Sequence, residues 1–208
     1  MVKVKICGIT KEEDISFLEN FPVDYLGFIM YPPSPRYVGD HLKRLLREVK
    51  RAKRVVVMVN PTMDEVLRCL DLGADLIQLH GEESVEFGDR IGLSRVIKAF
   101  RVRETIDCSR LEAWKKAYAV LLDTYKEGLP GGTGETFNWQ IAQSVVLEGY
   151  KVFLAGGLNL TNVVDALITV KPYAIDLSSG LEISPGIKDY EKVKALFEIL
   201  RRGVDLHP

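Results

Sequence analysis

The chain has 208 residues, 47% of them hydrophobic, with a formal net charge of −1 at neutral pH. That composition supports a substantial core and removes any general electrostatic pull toward nucleic acid or membrane. No apolar run approaches the roughly 20 residues that span a bilayer, and MVKVKICGIT at the start has a strand pattern, not that of a secretory leader, so the chain is read as cytoplasmic.

Eight short β-branched runs recur along the sequence. They are VKVKIC (2–7), DYLGFIM (24–30), RVVVMV (54–59), DLIQLH (75–80), RVIKAF (95–100), YAVLLD (118–123), KVFLAG (151–156) and YAIDLS (173–178). Most are nearly continuous in apolar residues, as strands buried on both faces must be. Helical patterns fill the gaps. Thr10 to Glu13 has the form of a capping box that opens the first helix. Asn60 is a candidate N-cap with Pro61 at the first helical position. Val163, Val164, Leu167 and Ile168 keep helical spacing, as do Tyr190, Val193, Leu196, Phe197 and Leu200 in the last helix.

Eight βα units in this length predict an α/β protein, a single (β/α)8 TIM barrel covering residues 1–208. The competing architecture, an open doubly wound sheet, calls for a glycine-rich nucleotide turn after an early strand. Gly8 stands there without that pattern.

Three cysteines (7, 69, 108) and three histidines (41, 80, 207) are scattered. Their spacing predicts no disulfide framework, no zinc site and no metal cofactor.

Active sites of such barrels lie at the carboxyl ends of the strands. Cys7 ends the first strand and Asp123 the sixth, so closure of one barrel would set a thiol and a carboxyl around its mouth. A thiolate that takes a proton and a carboxylic acid that gives one equip an isomerase. Taken alone, Cys7 reads more readily as a small buried hydrophobe, and its place at a strand's carboxyl end before Gly8 is what favours a role in the chemistry. Glycine turns follow the last two strands, at Gly156 and Gly157 and at Ser179 and Gly180. Backbone N–H groups at such turns attract anions, which points to phosphate, and a short helix around residues 184–186 would complete the cradle. Arg36 sits on a proline-stiffened loop and suits a planar carboxylate, although taken alone it reads as a surface arginine. His80 either contacts substrate or is structural. Asp176, inside an apolar strand, either orients substrate hydroxyls or is a satisfied barrel residue. The glycine-rich stretch 126–135 is either a substrate cover or a solvated loop.

These residues resemble the phosphoribosylanthranilate isomerase family, the third-step enzymes of tryptophan biosynthesis from chorismate. The segments that carry the resemblance are KICGIT (5–10), GFIMYPPSPRYV (27–38), QLHG (78–81), VIKAF (96–100), LLDT (121–124), GGTGETFNW (131–139), AGGLN (155–159), DLSSGLE (176–182) and PGIKD (185–189). The resemblance implies a cofactor-free and metal-free Amadori rearrangement of N-(5-phosphoribosyl)anthranilate to 1-(2-carboxyphenylamino)-1-deoxyribulose 5-phosphate. It implies Asp123 as general acid, Cys7 as general base, Arg36 on the anthranilate carboxylate and the two glycine turns on the phosphate. The partner is then a small phosphorylated substrate, and a monomer is favoured over a homodimer. The alternatives are a ribulose-phosphate epimerase, an indoleglycerol-phosphate synthase using Lys98, and a non-catalytic phosphate-binding barrel.

Overall fold

The computed structural model describes residues 2–102, 105–123 and 135–204. Within them, eight parallel strands pair in sequence order and close on themselves. They are β1 (Lys3–Cys7), β2 (Tyr25–Ile29), β3 (Lys53–Met58), β4 (Leu76–Leu79), β5 (Val96–Arg101), β6 (Ala119–Asp123), β7 (Val152–Ala155) and β8 (Ala174–Leu177). Pairing of β1 with both β2 and β8 closes the cylinder and excludes the open sheet. The eight helices are α1 (Glu12–Leu18), α2 (Leu42–Glu48), α3 (Met63–Asp71), α4 (Val85–Ile91), α5 (Cys108–Ala113), α6 (Glu135–Leu147), α7 (Val163–Val170) and α8 (Tyr190–Val204), one after each strand. Between β8 and α8 the chain adds an antiparallel hairpin, β9 (Glu182–Ser184) and β10 (Ile187–Lys188). No described helix is long and apolar enough to cross a membrane.

Because side chains alternate along a strand, each strand divides its residues between two compartments. Val4, Ile6, Leu26, Phe28, Val56, Ile77, Leu79, Val120 and Leu122 point outward and join the buried faces of the helices in one large cluster. Tyr25, Val55, Leu76, Ile97, Leu121, Phe153 and Ala174 point inward and fill the barrel itself. The amino end is closed by aromatic side chains. The Tyr25 and Tyr118 hydroxyls are 2.8 Å apart, and the Lys151 ammonium lies 4.4 Å from the Tyr118 ring and 4.9 Å from that of Tyr173.

Local details differ from the sequence reading in three places. Thr10 caps no helix: its hydroxyl donates to the Gly186 carbonyl at 2.5 Å, and α1 starts at Glu12 with Lys11 before it. The capping box occurs instead at Thr62 and Glu65, so α3 starts after Thr62 and not at Pro61. Asn60 adopts a left-handed conformation, and its side-chain oxygen accepts from the Glu82 N–H at 2.8 Å, which ties together the loops after β3 and β4. Third, residues 184–186 are the end of β9 and the turn of the β9–β10 hairpin and not a helix. Gly186 takes φ 81° there, while a single 3-10 turn covers Ser179–Leu181.

Phe153 is fully buried and stacks edge-on against Tyr25 with centroids 5.0 Å apart. Phe153→Ala is expected to lower unfolding free energy by about 3–5 kcal/mol, read from urea denaturation, because the closed barrel cannot collapse onto the void.

Candidate active site

Cys7 and Asp123 are the last residues of β1 and β6, so both stand at the carboxyl mouth of the closed barrel. Cys7 is 7% exposed. Burial pushes its thiol above the ordinary cysteine range, the Lys5 ammonium opposes that shift, and the Asp176 carboxylate adds to it. Space for the sulfur is set by β2. Gly27 lies opposite Cys7 in register, and a Cβ there would sit 2.5 Å from Cys7 Sγ. The backbone of Cys7 is held as well: its carbonyl accepts from Lys188 Nζ at 2.6 Å and from the Ser178 hydroxyl at 3.2 Å.

Below the thiol, Lys5 and Asp176 are direct neighbours in the β1–β8 register, and their ion pair measures 2.7 Å. Asp176 therefore has one oxygen satisfied, while Oδ1 is buried without a hydrogen-bond partner. Burial raises the Asp176 carboxyl above its ordinary value against the pull of Lys5, with the nearby His80 lowering it and Asp123 raising it. Asp176 is thus neither a fully satisfied barrel residue nor an isolated one.

His80 follows β4 directly. Gln78 Nε2 lies 3.0 Å from His80 Nδ1. His80 Nε2 lies 3.7 Å from Asp123 Oδ2. The histidine is thereby oriented toward the carboxyl at the end of β6.

Arg36 folds over the mouth from the loop after β2. Its Nε and Nη2 grip the Glu182 carboxylate, with Nη2–Oε2 at 2.6 Å and Nε–Oε1 at 2.9 Å. Glu182 also accepts from Lys188 Nζ at 2.9 Å. Burial pushes the Glu182 carboxyl up, but hydrogen bonds from Arg36 and Lys188 bring it below its ordinary value. One network therefore joins Arg36 to the Cys7 carbonyl through the hairpin. Gly8, at φ 77°, leaves room for it: a Cβ there would meet Arg36 Cδ at 2.5 Å.

The two glycine turns come together. Gly156 and Gly157 adopt φ of 90° and 69°, and a Cβ on Gly180 would lie 2.2 Å from the Leu158 carbonyl oxygen. Asn162 fixes the first turn by donating to the Gly157 carbonyl and accepting from the Asn159 N–H. Ser179 is exposed beside them. The glycine-rich stretch 126–135 lies, through residue 134, outside the described residues.

Lys98 belongs to the other compartment. It alternates with the inward Ile97 and Ala99 and is fully buried beneath Glu83 at 2.7 Å and the Gly81 carbonyl at 2.6 Å, with the Trp114 ring 5.6 Å away. A lysine so placed cannot serve the mouth, which removes the indoleglycerol-phosphate synthase reading. Among the described residues no group of three or more His, Cys, Asp or Glu could hold a metal ion.

The sequence reading missed Lys5, Gly27, Glu182 and Lys188. Lys5 and Cys7 do share a strand face by their two-residue spacing, which was a usable signal. Glu182 and Lys188 become visible only once the hairpin is folded back onto the mouth.

A family model described as N-(5'-phosphoribosyl)anthranilate (PRA) isomerase matches residues 4–199. The chain belongs to this family. A relative named N-(5'-phosphoribosyl)anthranilate isomerase, from Aquifex aeolicus, is 52% identical over 198 residues, which cover 93% of this chain and 96% of the relative. The fold is similar to that of monomers generated from the dimeric phosphoribosylanthranilate isomerase of Thermotoga maritima. That likeness has a TM-score of 0.84 at 36% identity, over 98% of this chain and all of the other. It is also similar to a phosphoribosylanthranilate isomerase solved in complex with reduced 1-(o-carboxyphenylamino)-1-deoxyribulose 5-phosphate. There the TM-score is 0.85 at 33% identity, over 97% of this chain and 100% of that one. This chain is therefore an isomerase of the PRA isomerase family, and its TIM barrel is the family's fold.

Gly27 supplies the test of the mouth's dimensions. In Gly27→Ala the added methyl competes with the Cys7 sulfur for one position, and one of them must move by about an ångström. Isomerase turnover is expected to fall about 100-fold, as misplacements of that size do, with the barrel's circular dichroism unchanged. Wild-type turnover would show that the sulfur's position is not critical.

Proposed function

We propose that this chain converts N-(5-phosphoribosyl)anthranilate to 1-(2-carboxyphenylamino)-1-deoxyribulose 5-phosphate, with Asp123 as general acid and Cys7 as general base. The observation that carries this is the pairing of a thiol and a carboxyl at one barrel mouth in a member of the PRA isomerase family. The complex of a relative with the reduced product supports the same ligand here.

In the proposed reaction, Asp123 gives its proton to the ribose ring oxygen as the ring C–O bond breaks. The anthranilate nitrogen lone pair forms the Schiff base. Cys7 as thiolate then takes the proton from sugar C2, and the electron pair of that C–H bond neutralises the iminium to give an enolamine. Tautomerisation yields the ketone. One proton is given and one taken, so the step is an isomerisation. His80, oriented by Gln78, is placed to donate to Asp123 and support its carboxylate after the first transfer. Asp176 Oδ1, buried and open, suits a substrate hydroxyl.

The two remaining charges of the substrate have matching partners. Arg36 keeps its third nitrogen, Nη1, outside the bonds to Glu182, and a planar carboxylate can take it. The contacting turns at Gly156, Gly157, Ser179 and Gly180 offer backbone N–H groups to the phosphate. The epimerase reading loses support, since that chemistry calls for metal-ligating side chains on several strands.

Freshly generated substrate, followed by loss of anthranilate-type fluorescence, tests the assignment. Cys7→Ala and Asp123→Asn are each expected to lose at least about 1,000-fold in kcat with KM little changed, because each acts in the transition state. Arg36→Met is expected to raise KM by about tenfold or more. Substrate binding without turnover in the wild type would favour the non-catalytic barrel instead. We further propose that the chain acts as a monomer. Equilibrium sedimentation is expected to return the mass of a single chain, and a mass of twice that would place it with the dimeric Thermotoga maritima relative.

A further inference from the structure

Beneath the Cys7 thiol the barrel holds one fully buried cation between two acids. Lys5 is 0% exposed, so its ammonium is closed off from bulk solvent. It shares the inward face of β1 with Cys7, two residues on, and its charge acts on the thiol, opposing the upward shift that burial causes. On its other side it pairs with Asp176 at 2.7 Å. A buried ammonium must keep an anionic or hydrogen-bonding partner. Here two candidates compete for it.

We propose that Lys5 is a positioning residue for the reaction: its ammonium is the counter-charge of the Cys7 thiolate, and the Asp176 carboxylate competes with the thiolate for it. The proposal rests on the assignment of Cys7 as the base.

The other charged groups around the pair are already engaged. Lys188 is bonded to Glu182 and to the Cys7 carbonyl, and Arg36 grips Glu182 with two nitrogens. His80 and Asp123 face each other at the ends of β4 and β6. Strand β2 presents Gly27 beside Cys7 and Tyr25 beside Lys5, and the Tyr25 hydroxyl is engaged with that of Tyr118. Among the described residues Lys5 is thus the cation whose partner can change from carboxylate to thiolate. With Asp176 ionised, the positive charge is neutralised from below, and the thiol keeps its proton. Burial raises both the thiol and the Asp176 carboxyl, and Lys5 is the cation that opposes the shift in each. Asp176 holds Lys5 through one oxygen only, with Oδ1 left open. A hydrogen bond donated to Oδ1 by a substrate hydroxyl would draw charge away from Lys5 and shift the cation's weight onto sulfur. On this reading the substrate itself helps to make the base.

The test titrates Cys7 in the ligand-free protein by far-ultraviolet thiolate absorbance and by alkylation with iodoacetamide. A Cys108→Ser background removes the exposed thiol, and buried Cys69, pushed up to about 11, stays silent below that range. Lys5→Met is expected to raise the Cys7 midpoint by about one pH unit or more, and Asp176→Asn to lower it by a similar amount. Shifts in opposite directions are the signature of charge. Loss of a merely structural contact would leave the midpoint in place or move it the same way in both. Should Lys5→Met fail to fold, the nearly isosteric Asp176→Asn decides alone, and an unmoved or raised midpoint there overturns the proposal. Failure of the base assignment is seen separately, as wild-type turnover in Cys7→Ala. An inactive Cys7→Ala with an unmoved Asp176→Asn titration would overturn the role of Lys5 only.

Discussion

Closure of the barrel between β1 and β8 is the constraint on which the site depends. The register of that one pairing sets Lys5 beside Asp176, although 171 residues separate them in the chain. It also leaves Cys7 one step above, at the rim. A slip by one residue would turn Lys5 outward into the helix layer and leave a carboxylate buried without its cation. Such a slip is costly because an unpaired charge in a dry interior is far less stable than the pair. The ion pair therefore specifies the register, whatever its net contribution to stability.

The hairpin between β8 and α8 adds a second layer of control from outside the cylinder. Glu182 holds Arg36 from the loop after β2, Lys188 holds the Cys7 carbonyl, and Lys192 of α8 holds the Glu182 carbonyl at 2.9 Å. Four segments distant in sequence thus share one polar network at the mouth. Every buried cation in it has an acceptor, and the carboxylate of Glu182 has three bonded nitrogens on two residues. Such networks rigidify a site because moving one member leaves the others unsatisfied.

Most of the architecture was legible from the sequence. Strands buried on both faces produce nearly unbroken apolar runs, and those runs mark all eight strands within one or two residues. Residues at strand ends were equally legible, since the barrel converts position along a strand into height in the molecule. What could not be seen were contacts decided by the return of the chain. Thr10 has the spacing of a capping residue, but its hydroxyl finds the Gly186 carbonyl, contributed from the far end of the sequence. Arg36 advertises an anion site, yet the carboxylate it meets in the structure is the protein's own Glu182. Lys98 sits in the right strand for catalysis and on the wrong face of it, a distinction carried by alternation alone. Local pattern fixes elements; the partners of polar side chains come from closure.

The way Cys7 is held has a further consequence. Its carbonyl is anchored by two donors, and Gly27 leaves beside it a notch that a single methyl would fill. A cysteine there has one side-chain torsion left, and the wall restricts even that. The base is thus delivered to its target with almost no rotational search, so little entropy is lost in reaching the reactive pose. The same notch is cut for one heavy atom beyond Cβ. A longer or branched base would bring both extra torsions and extra bulk, and the whole rim from β1 to β2 would have to widen to receive it.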